Sequence, residues 1–256
     1  MNLPIFISPW LANLTPDRAG SRRLFMFPFA GAGPIVFRPW VDRLPADWDI
    51  YAVQFPGRGT RIREKPSRRL EPLVTQLDKE LRPYLDVPFS FFGHSLGVLV
   101  AFELARGLRR SGMVPEQLLI SGYPAPHLPF PYHHLHNLSS TDFIQEMRIL
   151  SGTPQEVLDS PDFLELVIPI VQADFEVLET YTYLEERPFE FPIHVMGGNQ
   201  DPIARREHLE AWRGHTDGPF TLTMFEGNHF YFEQRTDRFL RNLCRYLESM
   251  RAVGWC

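Results

Sequence analysis

Phe89-Ser-Phe-Phe-Gly-His-Ser-Leu-Gly-Val-Leu-Val-Ala-Phe-Glu-Leu-Ala-Arg-Gly-Leu-Arg-Arg110 reads as a short apolar strand, a tight corner and an apolar helix. The corner, Gly93-His94-Ser95-Leu96-Gly97, sets a glycine two positions either side of a serine. A strand that turns this sharply into a helix forces its central residue into strained backbone angles, and the flanking positions have no room for a Cβ. The hydroxyl is then held above the sheet, at the N-terminus of the following helix. Backbone N–H groups and the helix dipole there favour a developing negative charge. Ser95 is therefore the candidate nucleophile. The motif alone is common, and a serine at such a corner also serves close packing, so the rest of the chain must supply a base and an acid.

Before the corner, Leu24–Phe27 is an apolar strand followed by the small-residue loop Pro28-Phe-Ala-Gly-Ala-Gly-Pro34. Phe37, Trp40, Val41 and Leu44 recur at helical spacing, Asp49–Phe55 is a second strand, and Leu73, Leu77, Leu81 and Tyr84 mark an amphipathic helix. Residues 1–21, with prolines between short apolar pieces, read as an arm on the surface. After the central helix, Gln117–Ser121 is another strand stopped by Gly122. The pattern then changes: from about Pro124 to Arg187 helical runs follow one another, at Phe143–Leu150, Phe163–Phe175 and Val177–Leu184, with no strand between them. Alternation resumes with the strand Ile193–Met196, a helix at Arg205–Trp212, the strand Phe220–Phe225 and a helix at Glu233–Met250. The expected fold is α/β: a mostly parallel central sheet covered by helices on both faces, one domain over residues 1–256 with a helical lid insertion at about 124–187.

A serine hydroxyl needs a base within hydrogen-bond reach. The strand at 193–196 runs into Gly197-Gly-Asn-Gln-Asp201-Pro202, and the strand at 220–225 into Glu226-Gly-Asn-His229-Phe230. Each places its polar residue beyond a strand's C-terminal end. Serine, aspartate and histidine in that order, each after its own strand, is the arrangement of the α/β-hydrolase fold. Asp201 and His229 join Ser95 as catalytic candidates. Taken singly, an Asp-Pro step stabilises turns and a loop histidine is ordinarily inert; their joint order and topology favours the triad. The oxyanion donors expected in such a site are the backbone N–H of Leu96, following the nucleophile, and that of Ala30 in the loop after the early strand.

Composition bounds the alternatives. The chain has 256 residues, 44% hydrophobic, and a formal charge of −5, which argues against nucleic-acid binding. Its two cysteines, Cys244 and Cys256, form no disulfide framework; Cys244 falls in a helical pattern as a buried thiol, pointing to a reducing, cytoplasmic setting. No basic leader precedes an apolar run, and no stretch is long enough to span a membrane. Gly31-Ala-Gly33 lacks dinucleotide spacing and a P-loop lysine, so no cofactor is expected. His127, His133, His134 and His136 lie close together but without regular ligand spacing in a proline-rich segment, and no metal site is assigned to them.

Gly93-His-Ser-Leu-Gly97, Phe27-Pro-Phe-Ala-Gly31, Gln54-Phe-Pro-Gly-Arg-Gly59, Gly197-Gly-Asn-Gln-Asp-Pro202 and His229-Phe230 together resemble the type II thioesterases, stand-alone editing enzymes of nonribosomal peptide and polyketide synthases. The resemblance runs from Ser8-Pro-Trp-Leu11 to the C-terminal helix. Medium-chain fatty acyl thioesterases share most of these motifs. Two positions depart: Ala32 interrupts what is usually a pair of glycines, and Asn228 stands where a second glycine commonly precedes the histidine. The resemblance implies hydrolysis of acyl groups from the phosphopantetheine thiol of a carrier protein, with Ser95, His229 and Asp201 as the triad. A general carboxylesterase and a non-catalytic binding protein on the same scaffold are the competing readings.

Arg58, Arg61, Arg63, Lys65, Arg68 and Arg69, with Glu64 between, make a basic stretch on an acidic chain. Such a stretch is commonly a solvated loop; its place after a strand end makes Arg58, Arg61 and Arg63 candidates for docking an acidic carrier. Phe143, Phe163, Phe175, Tyr181 and Tyr183 are candidates for an acyl channel, although aromatics at helical spacing usually pack a core, and none is assigned specificity.

Overall fold

The computed structural model describes residues 4–132, 134–150 and 161–249. Among them eight strands form one sheet: β1 (Ile5–Ser8), β2 (Leu11–Asn13), β3 (Arg22–Phe27), β4 (Trp48–Val53), β5 (Phe89–His94), β6 (Leu118–Ser121), β7 (Ile193–Gly198) and β8 (Phe220–Phe225). Their order is β1-β2-β4-β3-β5-β6-β7-β8; β1 with β2 and β2 with β4 pair antiparallel, and every other pairing is parallel. The α-helices are α1 (Leu70–Leu81), α2 (Leu96–Arg110), α3 (Ser140–Leu150), α4 (Pro161–Glu179), α5 (Arg206–Glu210), α6 (Tyr231–Gln234) and α7 (Thr236–Ser249).

The pleat explains the two layers. Side chains alternate faces along a strand, so Phe25 and Phe27 of β3, with Phe89 and Phe91 of β5, join the apolar stripe of α1, nearly all of α2 and Val171 and Phe175 of α4. Leu24 and Met26, with Phe92, Leu119 and Met196, face the other way, onto Phe37 and Trp40 and onto Phe239, Leu240 and Leu243 of α7. A parallel sheet covered on both sides reads as runs of apolar residues rather than as alternation, and β5 is buried along its whole length.

Five segments differ from the sequence expectation. Residues 5–13 are not a surface arm: they form two edge strands, β2 pairs with β4, and Leu11, Ala12 and Leu14 are buried. Pro34–Arg43 forms 3-10 turns rather than an α-helix, with Pro39 inside. Beyond α5 the helix tightens into 3-10 turns at Ala211–His215, and α6 and α7 replace the single expected C-terminal helix. The third helical run between β6 and β7 does not exist; α4 ends at Glu179 and the chain runs on without a helix to β7. Side chains of α2 tie this stretch down. Arg109 donates to the carbonyls of Arg187 (2.8 Å) and Pro188 (3.1 Å), Arg106 to that of Leu184, and Glu103 accepts from Tyr181 Oη at 2.7 Å. These contacts hold the non-helical chain from Tyr181 to Pro188 against α2. Cys244 is half-buried, its thiol donating to the Arg43 carbonyl at 3.2 Å; Cys256 lies outside the described residues. No helix among the described residues is long and apolar enough to cross a membrane.

Candidate active site

β5 delivers the chain to Ser95 at φ 53° and ψ −120°, a positive φ that a non-glycine residue adopts only under the constraint of its surroundings. The constraint is visible at Gly97, where a Cβ would lie 2.0 Å from the Phe27 carbonyl oxygen and 2.9 Å from that of Pro28. The helix thus starts in direct contact with the end of β3 and the loop behind it. The Ser95 N–H donates to the Ser121 carbonyl (2.9 Å), fixing the corner to β6, while its own carbonyl accepts from Val98 as α2 begins. Leu96 is the first residue of α2, where helix geometry leaves the N–H without an intrahelical acceptor.

The loops after β7 and β8 are stitched together. Asn199 N–H donates to the Phe225 carbonyl, Gln200 N–H to that of Gly227, and Asn199 Oδ1 accepts from Gly227 N–H. Between them His229 Nδ1 and Asp201 Oδ2 lie 2.8 Å apart, both residues buried. The other Asp201 oxygen accepts from the N–H groups of Ile203 (2.8 Å) and Ala204 (3.2 Å). Turn stabilisation and histidine orientation, alternatives from the sequence, are here divided between the two oxygens of one carboxylate. Asn228, in place of a glycine, uses its side chain to accept from Phe230 N–H at 3.0 Å and closes the turn that carries His229.

Residues 121–122, at the end of β6, connect the two halves. A Cβ on Gly122 would fall 2.8 Å from His94 Cε1 and 3.2 Å from His229 Cε1, and the two imidazoles lie 4.6 Å apart, centre to centre. His94, the residue before the serine, is fully buried; its Nδ1 meets Ser121 Oγ (2.9 Å), which meets Tyr231 Oη (2.7 Å). Burial, and after it the neighbouring His229, hold the His94 pKa well below the usual imidazole range, so this ring stays neutral. A cavity of about 340 Å³ opens beside it, walled by Phe29, Phe37, Trp40 and Phe232. A second, of about 770 Å³, lies apart from Ser95, between α1, α2 and the chain at Thr180–Leu184.

The loop after β3 has its amides partly engaged. Gly31 N–H donates to Asp174 Oδ2 of α4 at 2.7 Å, and Ala32 N–H to the Phe29 carbonyl at 3.0 Å. Ala30 therefore stays the loop's candidate oxyanion donor. Asp174 is not visible as a site residue from sequence; its one signal is a carboxylate within the run Ile168–Phe175, apolar but for Gln172.

The basic stretch divides. Arg58 is buried and grips Asp174 with both terminal nitrogens, at 2.7 and 2.8 Å, so it faces no partner. Arg61 is also buried, bonded to Glu64 and to the Gln54 carbonyl, with its guanidinium 3.9 Å from the centre of the Trp10 ring. Both docking expectations fail because internal acceptors claim the guanidinium groups. Arg63 and Lys65 are exposed. Arg68 and Arg69 both pair with Glu176 of α4.

The histidines of the 127–136 segment diverge: His127 Nδ1 faces His215 Nε2 at 2.8 Å and His136 meets Glu179 at 2.6 Å, while His133 lies outside the described residues. Among the described residues no group of three or more candidate ligands could hold a metal ion. Phe143 packs edge-on against Phe175 and Tyr183 against His215, as core rings do; the Phe163 side chain lies outside the described residues.

Comparison with known proteins fits this geometry. Residues 22–247 match the thioesterase domain family model. The gramicidin S biosynthesis protein GrsT of Aneurinibacillus migulanus is 36% identical over 247 residues, covering 96% of each chain. Thioesterase PikA5 of Streptomyces venezuelae is 33% identical over 246 residues, 95% of this chain and 87% of that one. Among solved structures, the type II thioesterase BorB from the borrelidin biosynthetic cluster superposes with a TM-score of 0.87 at 34% identity, covering 94% of this chain and 98% of its own. The chain belongs to the thioesterase domain family, and its fold is that of an α/β-hydrolase.

Proposed function

We propose that this protein hydrolyses acyl thioesters from the phosphopantetheine arm of carrier proteins, clearing stalled or misprimed acyl groups in nonribosomal peptide or polyketide assembly. The observation that carries the reading is the buried His229–Asp201 pair, set against the strained Ser95 corner through residues 121–122. The names of GrsT and BorB, which tie those relatives to biosynthetic clusters, supply the substrate class. YbtT, a type II thioesterase from the yersiniabactin pathway, superposes with a TM-score of 0.82 at 31% identity over 92% of this chain and 97% of its own, and points the same way. A reducing, cytoplasmic setting belongs to the reading, in keeping with a free Cys244.

In this reading His229 takes the proton of Ser95 as its oxygen attacks the thioester carbonyl. The N–H groups of Leu96 and Ala30 hold the oxyanion, and the carrier thiol leaves, taking the proton back. Water, deprotonated by the same imidazole, then attacks the acyl-Ser95 ester; the acid is released and Ser95 regains its proton. Asp201 fixes the tautomer throughout. A thiol is a good leaving group, so acylation asks less of the general acid than amide cleavage does. The segment at about 124–187 serves as the lid over this edge of the sheet. Fatty acyl carrier thioesters and simple oxygen esters are the competing substrates.

The test measures hydrolysis of one short acyl group presented on a holo carrier protein, on coenzyme A and as an oxygen ester. Carrier-bound acyl is expected to be turned over fastest, and Ser95→Ala to lower kcat by about three powers of ten or more. Faster ester than carrier turnover would replace the thioesterase reading with an esterase one. Full activity in Ser95→Ala would remove the mechanism.

A further inference from the structure

The loop that carries Ala30 is anchored from above. Asp174 of α4 is 3% exposed, an acidic side chain buried where the lid segment meets this loop. Its Oδ2 accepts from Gly31 N–H at 2.7 Å and from Arg58 Nη1 at 2.7 Å, and its Oδ1 accepts from Arg58 Nη2 at 2.8 Å. Arg58 reaches back to the same loop, Nη1 lying 3.3 Å from the Ala32 carbonyl, and to the Pro56 carbonyl through Nε and Nη2 at 3.4 Å each. One buried carboxylate and one buried guanidinium therefore hold the N–H and the carbonyl on either side of a single turn, with fork geometry that a point charge does not reproduce. The same turn leaves no room beneath α4: Gly31 sits at φ +78°, and a Cβ there would fall 2.8 Å from Val171 Cγ2, one helical turn before Asp174.

Resting on Ser95 as nucleophile and Ala30 as oxyanion donor, we propose that Asp174 and Arg58 are positioning residues that set the Ala30 N–H, and that the oxyanion hole is complete only while α4 is seated on the loop. Rotation of the Ala30–Gly31 peptide is coupled to Gly31 N–H, so the bond to Asp174 restrains the plane from which the adjacent amide donates. A helix of the lid then reports its position directly to the atoms that stabilise the transition state. Stabilisation of a developing oxyanion depends on donors already in place, and one donor is worth about a hundredfold or more in rate.

The experiment uses the full chain with Asp174→Asn and Arg58→Lys, beside Ser95→Ala, on one acyl–carrier substrate. Two inhibitors of the same acyl chain are added: a thioether that mimics the bound substrate and a trifluoromethyl ketone that adds to the serine. Asp174→Asn is expected to lower kcat about 10- to 100-fold, with KM and thioether affinity within about threefold of the parent. Trifluoromethyl ketone affinity is expected to fall in parallel with kcat. Arg58→Lys, which keeps the charge and loses the fork, is expected to fall between, and remains informative if Asp174→Asn does not fold. Unchanged kcat in either folded variant, or equal losses for thioether and ketone, would overturn the positioning role. Full activity in Ser95→Ala would instead indict the nucleophile assignment on which it rests.

Discussion

The Nδ1 of His229 is held 2.8 Å from Oδ2 of Asp201, while Oδ1 of the same carboxylate is saturated by the Ile203 and Ala204 amides. An aspartate bound this way cannot swing to another partner. It also accepts only, so it selects the histidine tautomer with its proton on Nδ1 and leaves Nε2 free to act as base. Asn at this position keeps the size but offers the imidazole an NH2 donor, reversing the tautomer. Asp201→Asn is expected to lower kcat about 10³- to 10⁴-fold with KM little changed. Steady-state kinetics with an acyl thioester decide it, and a loss under tenfold would show that Asp201 serves only its turn.

Two glycines of α2 are expected to behave in opposite ways. At Gly97 an added Cβ meets backbone, 2.0 Å from Phe27 O and 2.5 Å from Phe27 C, and backbone in the middle of a sheet has nowhere to move. At Gly107, also within α2, nothing lies within 4 Å of the same addition. Gly97→Ala should destabilise by about 3 kcal/mol or more and distort the oxyanion loop with it. Gly107→Ala should stabilise by about 0.5–1 kcal/mol, through helix propensity, with kcat unchanged. Thermal unfolding separates them: Tm falls for the first and rises by about 1–4 °C for the second. Equal and small shifts would mean that the corner tolerates more than its geometry allows.

Why the corner and the triad could be read from the chain, and the anchoring pair could not, follows from the range of the interactions. Gly93, Ser95 and Gly97 form a motif spelled out within five residues, and Asp201 and His229 each sit a few residues beyond an apolar strand. Short segments therefore carry the information. Arg58 finds Asp174 116 positions away, so its local surroundings, rich in arginine, read as a surface patch when the side chain is in fact buried. The edge strands show the same limit. Ile5–Ser8 and Leu11–Asn13 have little pattern of their own and become strands because β4 offers β2 an unpaired edge. The stretch after Glu179 carries helical spacing, yet it is held along α2 by contacts distant in sequence, Arg106 to the Leu184 carbonyl and Arg109 to that of Arg187, which no local pattern reports.

Acid is expected to destabilise the protein progressively below about pH 6.5. Burial, with Arg245 adding to it, lowers the His194 pKa to about 4; burial, then His127 and Arg106, lowers that of His215 to about 4. An unfolded histidine titrates near 6.5. Their folded pKa values are thus depressed, and the folded state keeps both rings neutral. Stability from this source is full above about pH 6.5 and declines as pH falls toward 4, because the unfolded chain takes up protons that the fold refuses. The slope approaches ~1.4 kcal/mol per pH unit for each histidine. Urea unfolding between pH 7 and 5 should show it, and His194→Gln, which keeps a polar partner for Thr221 Oγ1, should flatten it. An unaltered slope in that variant would assign the acid sensitivity to other groups.

Carrier docking, if it uses the stretch after β4, must use what that stretch leaves exposed. Arg58 and Arg61 are buried and bonded internally, and Arg68 and Arg69 share Glu176. Arg63 and Lys65 are the exposed cations between them. Exposed charges act across an interface mainly through encounter rate and salt dependence, and contribute modestly to affinity. Arg63→Glu with Lys65→Glu is therefore expected to raise KM for an acyl–carrier protein about 3- to 10-fold at low ionic strength. The effect should shrink in high salt, because screening removes it. kcat, and kcat/KM for the same acyl group on N-acetylcysteamine, should be unchanged, since Ser95 and its partners are untouched. Equal effects on the two substrates would place the damage in the site rather than at a docking face. No effect on either would leave Arg63 and Lys65 as solvated charges and move the carrier to another surface.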